Sequence, residues 1–173
     1  MKKICILGAS GFLGNHLEAR LKSEGHFVVS VARKPPPFRK SVADEMNILD
    51  LTNPAEFHAH FFRHSFDECY QLAGSVGGLG YIGTGMHDAD ILTNSLKINL
   101  HTLEAIRKNS VGKIFFASSQ CVYPDKFEVD PFVNERLPGG IGTIINAAHR
   151  ETDAHFDTFA FGQEKLFSEK LYD

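Results

Sequence analysis

The chain has 173 residues, of which 43% are hydrophobic and 23% charged, with a formal net charge of −3. That length is one domain's worth and long enough to bury a substantial core, and the slightly acidic balance gives no reason to expect nucleic acid or an anionic membrane surface as a partner. No apolar run is long enough to span a bilayer, and the longest basic stretch, ARKPPPFRK at 32–40, is broken by three prolines and reads as a surface loop.

The start, MKKICILGAS, carries two lysines and a short apolar run, but glycines follow at once, so it reads as a first strand rather than a leader. Ile4–Leu7 is a buried parallel strand closed by Gly8. Leu13, Leu17 and Leu21 then recur at helical spacing, with Gly25 placed to stop the helix. Phe27–Val31 is a second strand. Asn53 caps a helix with Pro54 at its first position and Glu56 three residues after the cap. Phe66–Ala73 is a strand, and GSVGGLGYIGTG at 74–85 is a glycine-rich loop. A long helix runs from about His87 to Asn109, with Asp88 and Asp90 near its positive end. Lys113–Ser118 is another buried strand. The stretch 122–157 has no clear period, and 132–157 reads as an irregular, insertion-like segment of one domain spanning 1–173. A last helix begins near Thr158 and is still running at Asp173. Strands alternating with helices predict a Rossmann-like parallel sheet with helices on both faces.

Cys5, Cys69 and Cys121 are odd in number and have neither CxxC nor metal-ligand spacing, which reads as reduced thiols of a cytoplasmic protein. Nine histidines are scattered; His60 and His64 stand one turn apart, but no third ligand is placed near them, so they read as a solvated helix face and no metal is expected.

The chemistry begins at GASGFLG, which sets glycines at 8, 11 and 14 between the first strand and the first helix. Gly8 permits a tight turn, Gly11 lets backbone approach a pyrophosphate, and Gly14 lets helix and strand pack closely. The free amides of the helix N-terminus then point at the phosphates. In that context the segment reads as a dinucleotide cradle, with Gly8, Ser10, Gly11, Phe12, Leu13 and Gly14 as its cofactor-binding residues. After the second strand, where an acidic residue would hold the adenosine ribose hydroxyls, stands Ala32, followed by Arg33 and Lys34. Nothing acidic excludes a 2′-phosphate there, and Arg33 could pair with one, which favours NADP without excluding NAD.

The GxxGxxG spacing resembles the extended branch of the short-chain dehydrogenase/reductase superfamily. LDLTN at 49–53 looks like that branch's adenine-side segment, with Asp50 facing the adenine and Leu51 against it. Leu72, Ala73 and Gly74 resemble the end of its fourth strand beside the cofactor. VGGLGYI at 76–82 and SSQCVYP at 118–124 are similar to segments of GDP-mannose 3,5-epimerases, with GDP-fucose synthases the next closest. The resemblance implies NAD or NADP as cofactor, a GDP-sugar substrate and a homodimer built on the long and final helices, with Leu96, Leu100 and Phe167 as candidates. It also implies roles. Ser119 hydrogen-bonds the sugar hydroxyl that is oxidised, Ser118 lines the floor, and Gly77 and Gly78 approach substrate through backbone. Cys121 is one acid/base group at the sugar, Ser95 aligns with an asparagine near the cofactor beside Asn94, and Lys165 binds the nicotinamide ribose.

Two departures matter. Phe161, one turn before Lys165, stands where the family has the tyrosine that exchanges a proton with the sugar. The second acid/base lysine and the sugar-clamping residues of the family would lie beyond Asp173. The expectation is therefore a cofactor half whose C-terminal substrate domain is absent or truncated. That leaves three readings open: an epimerase, a dinucleotide-binding homologue without chemistry, and a fucose-synthase-like reductase. An apolar patch is expected where a substrate domain would pack, near Phe132, Ile141 and Ile144.

Overall fold

A computed structural model describes residues 1–82, 84–119, 122 and 160–172. Five strands, β1 (Lys3–Leu7), β2 (Phe27–Ala32), β3 (Glu45–Ile48), β4 (Glu68–Gln71) and β5 (Lys113–Phe116), form one sheet in the order β3-β2-β1-β4-β5. Every pairing is parallel, with Cys5 abreast of Val29 on one side and Cys69 on the other. Among these residues the helices are α1 (Phe12–Ser23), α2 (Pro54–Phe61), the single turn α3 (Leu79–Ile82), α4 (Asp88–Asn109) and α5 (Ala160–Tyr172).

Alternation along β1 divides the core between the two faces of the sheet. Ile4 and Ile6 pack with Val28 and with Leu17 and Leu21 of α1. Cys5 and Leu7 point the other way, into a larger cluster with Phe57 and Phe61 of α2, Ile98, Ala105 and Ile106 of α4, and Tyr172 of α5. Helices thus cover both faces, and β1 is an unbroken apolar run because it is covered twice. Cys5 and Cys69 are both fully buried, and burial pushes the Cys5 thiol up, so the pair behaves as small apolar residues.

The helix ends follow local chemistry. Asn53 caps α2 by accepting the Glu56 amide at 3.4 Å, with Pro54 at the first position. Gly25, at φ +82°, turns the chain out of α1 towards β2. Ser110 closes α4 in the left-handed region, with Arg107 and Lys108 in its last turn.

Two elements differ from the sequence reading. β3 is a short strand with half-buried residues and an exposed end, on the sheet edge, and no apolar run marks it. Inside the glycine-rich loop, α3 makes one helical turn. The remaining strands and helices agree with expectation to within a few residues. The irregular segment expected at 132–157, with Phe132, Ile141 and Ile144, lies outside the described residues, as does Thr158.

β1 feeds its helix towards β2, whereas β4 lies on the opposite side of β1. The strand order therefore reverses between β1 and β4, and the two connections diverge above their C-terminal ends. In open parallel sheets such a divergence leaves a crevice. Phe57 is central to the core beneath it, 1% exposed and in ring contact with Phe61 at 5.3 Å. Phe57→Ala should lower the unfolding free energy by ~3–5 kcal/mol in urea titrations followed by circular dichroism.

Candidate functional site

A groove of about 260 Å³ opens at that divergence. Its floor is the turn after β1. The Gly8 and Ala9 amides both donate to the Val31 carbonyl, at 2.9 and 3.1 Å, and Gly11 donates back to Gly8 at 3.1 Å. Gly8 has φ +88°, and a Cβ there would stand 2.7 Å from the Ala73 amide nitrogen, so the turn is pressed against the end of β4. A Cβ on Gly14 would meet the Ala9 Cα at 2.8 Å, which holds α1 close to the turn.

Helix α1 starts at Gly11 with no side-chain cap and no acidic residue in its first turn. The first internal bond runs from the Asn15 amide to the Gly11 carbonyl at 2.9 Å. The amides of Phe12, Leu13 and Gly14 come before it and have no carbonyl one turn back to pair with. An uncapped, uncharged helix start at the bottom of a groove is a place for an anion.

One wall comes from the ends of β2 and β3. Ala32, Arg33, Lys34, Leu49, Asp50, Leu51 and Thr52 line it. Asp50 Oδ1 accepts both the amide and the hydroxyl of Thr52 at 2.8 Å. The Thr52 amide holds the Asp50 carboxyl below the usual carboxylate value; burial opposes this, and the Thr52 hydroxyl and the Arg33 charge add to the lowering. The loop that carries Arg33 and Lys34 is fastened to α1. Glu18, 1% exposed, accepts from Ser30 Oγ at 2.6 Å, Ser41 Oγ at 2.9 Å and the Val42 amide at 2.7 Å. Arg39 donates to the Asn15 carbonyl, and Asn15 Nδ2 to the Arg39 carbonyl at 3.2 Å.

The opposite wall is the exit of β4 with one face of α4: Leu72, Ala73, Gly74, Ser75, Val76, Asn94 and Ile98. Gln71 fixes this exit, accepting the Ala73 amide at 3.0 Å and donating to its carbonyl at 3.1 Å. Ser95 is fully buried and accepts the Ser75 amide at 2.9 Å. Asn94, its neighbour, faces the groove, and Ser95 anchors the wall from behind. Lys165 of α5 rises behind Gly74: a Cβ on that glycine would stand 4.0 Å from its Nζ. The Nζ donates to the Ala117 carbonyl at 3.0 Å and lies 4.7 Å from the Phe116 ring centroid and 5.6 Å from that of Phe161. Burial pushes the Lys165 pKa down, while Glu164 and Glu169 push it up. The phenyl ring of Phe161 therefore serves as a face for the ammonium.

Of the residues singled out in the sequence, Gly8, Ser10, Gly11, Arg33, Asp50, Leu51, Leu72, Ala73 and Gly74 stand together in the groove. Gly14 packs beneath it. The Phe12 and Leu13 side chains are exposed, and Phe12 turns its ring to Phe38 and His16. The Tyr81 side chain packs over Gly77, where a Cβ would come within 2.7 Å of the Tyr81 Cβ, while Gly78 is open. Ser118 is exposed and donates to Glu169, and the Ser119 carbonyl accepts the Val122 amide at 3.3 Å. Cys121 lies outside the described residues. Lys34, Thr52, Ser75, Val76, Asn94 and Ile98 also line the groove and were not singled out as site residues. The last two stand one helical turn apart on α4, a spacing that marks a common face. Among the described residues no cluster of three or more His, Cys, Asp or Glu could hold a metal ion, and no helix is long and apolar enough to cross a membrane.

A family model described as NAD dependent epimerase/dehydratase family matches residues 4–141. The chain is 31% identical to GDP-mannose 3,5-epimerase 1 of Oryza sativa subsp. indica, over 98% of this chain and 41% of that protein. It is 25% identical to GDP-L-fucose synthase of Escherichia coli K12, over 80% of this chain and 39% of that protein. The UDP-glucose 4-epimerase of Bifidobacterium longum, solved with NAD+ and UDP, superposes with a TM-score of 0.70 at 21% identity, covering 99% of this chain and 48% of that one. The chain thus spans less than half the length of these relatives.

The lowered Asp50 carboxyl makes a prediction about acid. Its contribution to stability is present above the ordinary carboxylate value and is lost as the pH falls through the lowered one. Asp50→Asn should therefore flatten the fall in stability as the pH drops below about 4, read from urea midpoints across a pH series.

Proposed function

The chain belongs to the NAD-dependent epimerase/dehydratase family, and from that premise we propose that it binds NAD or NADP in the groove and acts on a nucleotide sugar beside it. The observation that carries this reading is the bare start of α1 beneath the groove, with Gly8 and Gly14 holding the backbone close. The free amides of α1 take the pyrophosphate. Asp50 and Leu51 take the adenine side, where Arg33 and Lys34 offer charge to a 2′-phosphate. Lys165, whose Nζ lies 4.0 Å from where a Gly74 Cβ would stand, takes the nicotinamide ribose. A nicotinamide ring, when bound, supplies hydride transfer.

The finer reading is chemistry of the GDP-mannose 3,5-epimerase type: oxidation at the sugar's C4, inversion at C3 and C5 through enolisation, and reduction on the same cofactor. In it Ser119 holds the reacting hydroxyl, Ser118 lines the floor, Gly77 and Gly78 contact the sugar through backbone, and Cys121 moves a proton at carbon. The similarity to the rice GDP-mannose 3,5-epimerase supports this reading. Phe161 favours a second one, a dinucleotide-binding homologue without turnover, because a phenyl ring has no proton to exchange. Arg33 and Lys34 on the groove wall favour a third, an NADPH reductase of the fucose-synthase kind. Turnover of a GDP-sugar separates the first and third from the second, and net consumption of NADPH separates the third from the first. We further read the protein as cytoplasmic, and as a homodimer that pairs the outer faces of α4 and α5, where Leu100 and Phe167 are exposed and Leu96 is half-buried.

Calorimetry should show binding of at least one of NAD, NADH, NADP and NADPH; no binding at millimolar concentration would remove the groove's assigned role. Arg33→Asp should move the NADP-to-NAD affinity ratio towards NAD, and an unchanged ratio would place Arg33 outside 2′-phosphate recognition.

General acid–base help is worth about 10²–10⁴ in rate. In a form of the protein supplied with its sugar-binding part, Phe161→Tyr should raise kcat for a GDP-sugar by at least about tenfold. Equal rates for the two forms would show that position 161 does not carry the proton.

A further inference from the structure

A seam of polar side chains runs through the otherwise apolar layer between the sheet, α4 and α5. Gln71, Asn99, Glu164 and Ser168 are each at most 1% exposed. Gln71 Nε2 donates to Asn99 Oδ1 at 2.8 Å, and Asn99 Nδ2 donates to Glu164 Oε1 and to Ser168 Oγ, both at 2.9 Å. Ser168 Oγ donates to Glu164 Oε1 at 2.7 Å, and the Tyr172 hydroxyl donates to Asn99 Oδ1 at 3.0 Å. Burying so much polarity costs stability unless each group is paired. The two donors that reach Glu164, Asn99 Nδ2 and Ser168 Oγ, meet on one of its oxygens. The other, Oε2, is buried with no hydrogen-bond partner among the described residues and stands 4.0 Å from Lys165 Nζ.

A merely structural acid would turn both oxygens to donors. This one uses Oε1 to hold the seam and leaves Oε2 facing the ammonium. The seam ends where Gln71 grips both polar groups of the Ala73 backbone, on the groove wall. One residue is therefore linked both to the exit of β4, through Asn99 and Gln71, and directly to the lysine of α5.

We propose that Glu164 is the positioning residue of the groove, ordering the Ala73 backbone through Asn99 and Gln71 and holding the Lys165 ammonium through its free oxygen. The proposal rests on the reading of the groove as a dinucleotide site. The other groups facing Lys165 are Glu169 from its own helix, the Ala117 carbonyl and Phe116 ring from the β5 end, and the Phe161 ring. Of these only Glu169 carries an ionisable side chain.

Glu164→Gln keeps the shape and the acceptor oxygen and removes the charge. In the intact chain with ¹³C-labelled lysine, NMR should show Lys165 losing its proton at lower pH than in the unaltered protein, and NADH or NADPH should bind about tenfold more weakly. Ser168→Ala removes two hydrogen bonds of the seam and keeps the charge, so it should leave the Lys165 titration in place. An unchanged Lys165 titration in Glu164→Gln, or an equal shift in Ser168→Ala, would overturn the proposal and leave Glu164 a packing residue. If the unaltered protein binds no dinucleotide, the reading of the groove fails while the Lys165 titration still decides the role of Glu164. Should Glu164→Gln not fold, Asn99→Ala decides: the seam requires faster hydrogen exchange at the Ala73 amide, and unchanged exchange would overturn it.

Discussion

The groove depends on how closely one turn can approach one strand end. Gly8 follows β1 with φ +88° and lies against Ala73 with no room for a side chain. That contact draws the start of α1 down to the sheet and sets its unpaired amides beside the exit of β4. Hydrogen bonds from Gly8 and Ala9 to Val31 tie the same turn to β2, so three strand ends meet within a few ångströms. A methyl group at position 8 would push the walls apart and strain the backbone as well.

Around this contact the two faces of the sheet are unequal. The α1 face is a small apolar cluster. The other face is larger and carries the polar seam from Gln71 to Tyr172 alongside its phenylalanines. Aliphatic packing would hold α5 against α4 more cheaply, since buried polar groups at best recover what their desolvation costs. What the seam adds is direction: hydrogen bonds fix the rotation of α5 about its axis, and with it the side from which Lys165 approaches Gly74. Register set by a buried polar contact is the best-attested use of such groups.

Much of this could be read from the residues, because the signals were local. The turn glycines, the apolar β1 and the Asn53-Pro54 start of α2 each carry their own physical reason for being where they are. What escaped was whatever depends on a distant partner. β3 has no apolar run, because it is half-covered on the sheet edge. Ser95 and Asn94 are neighbours in sequence, and only the rotation of α4 decides which one faces the groove. Glu18 and Glu164 look like ordinary surface acids in helical segments, yet both are buried because their donors come from elsewhere: Ser30, Ser41 and Val42 for one, Asn99 from a different helix for the other. Phe161 was legible as a departure from a resembled pattern, but its ring as a face for the Lys165 charge was not.

The fastening of the β2–β3 connection has an evolutionary consequence. Its anchors, Arg39, Ser41 and Val42, all lie at the far end, and their partners Asn15 and Glu18 belong to α1. The segment from Arg33 to Pro37 hangs between two fixed points, the end of β2 and those anchors, beside which Phe38 packs on Phe12. Its three prolines narrow the conformations of the unfolded chain as well. Substitutions at 33 and 34 therefore change the charge presented to a ligand without touching the bonds that hold the loop. Selection can retune such a stretch in small steps, because affinity and foldability are written in different residues. The charge at 33 and 34 can change along a path on which the bonds that hold the loop stay intact.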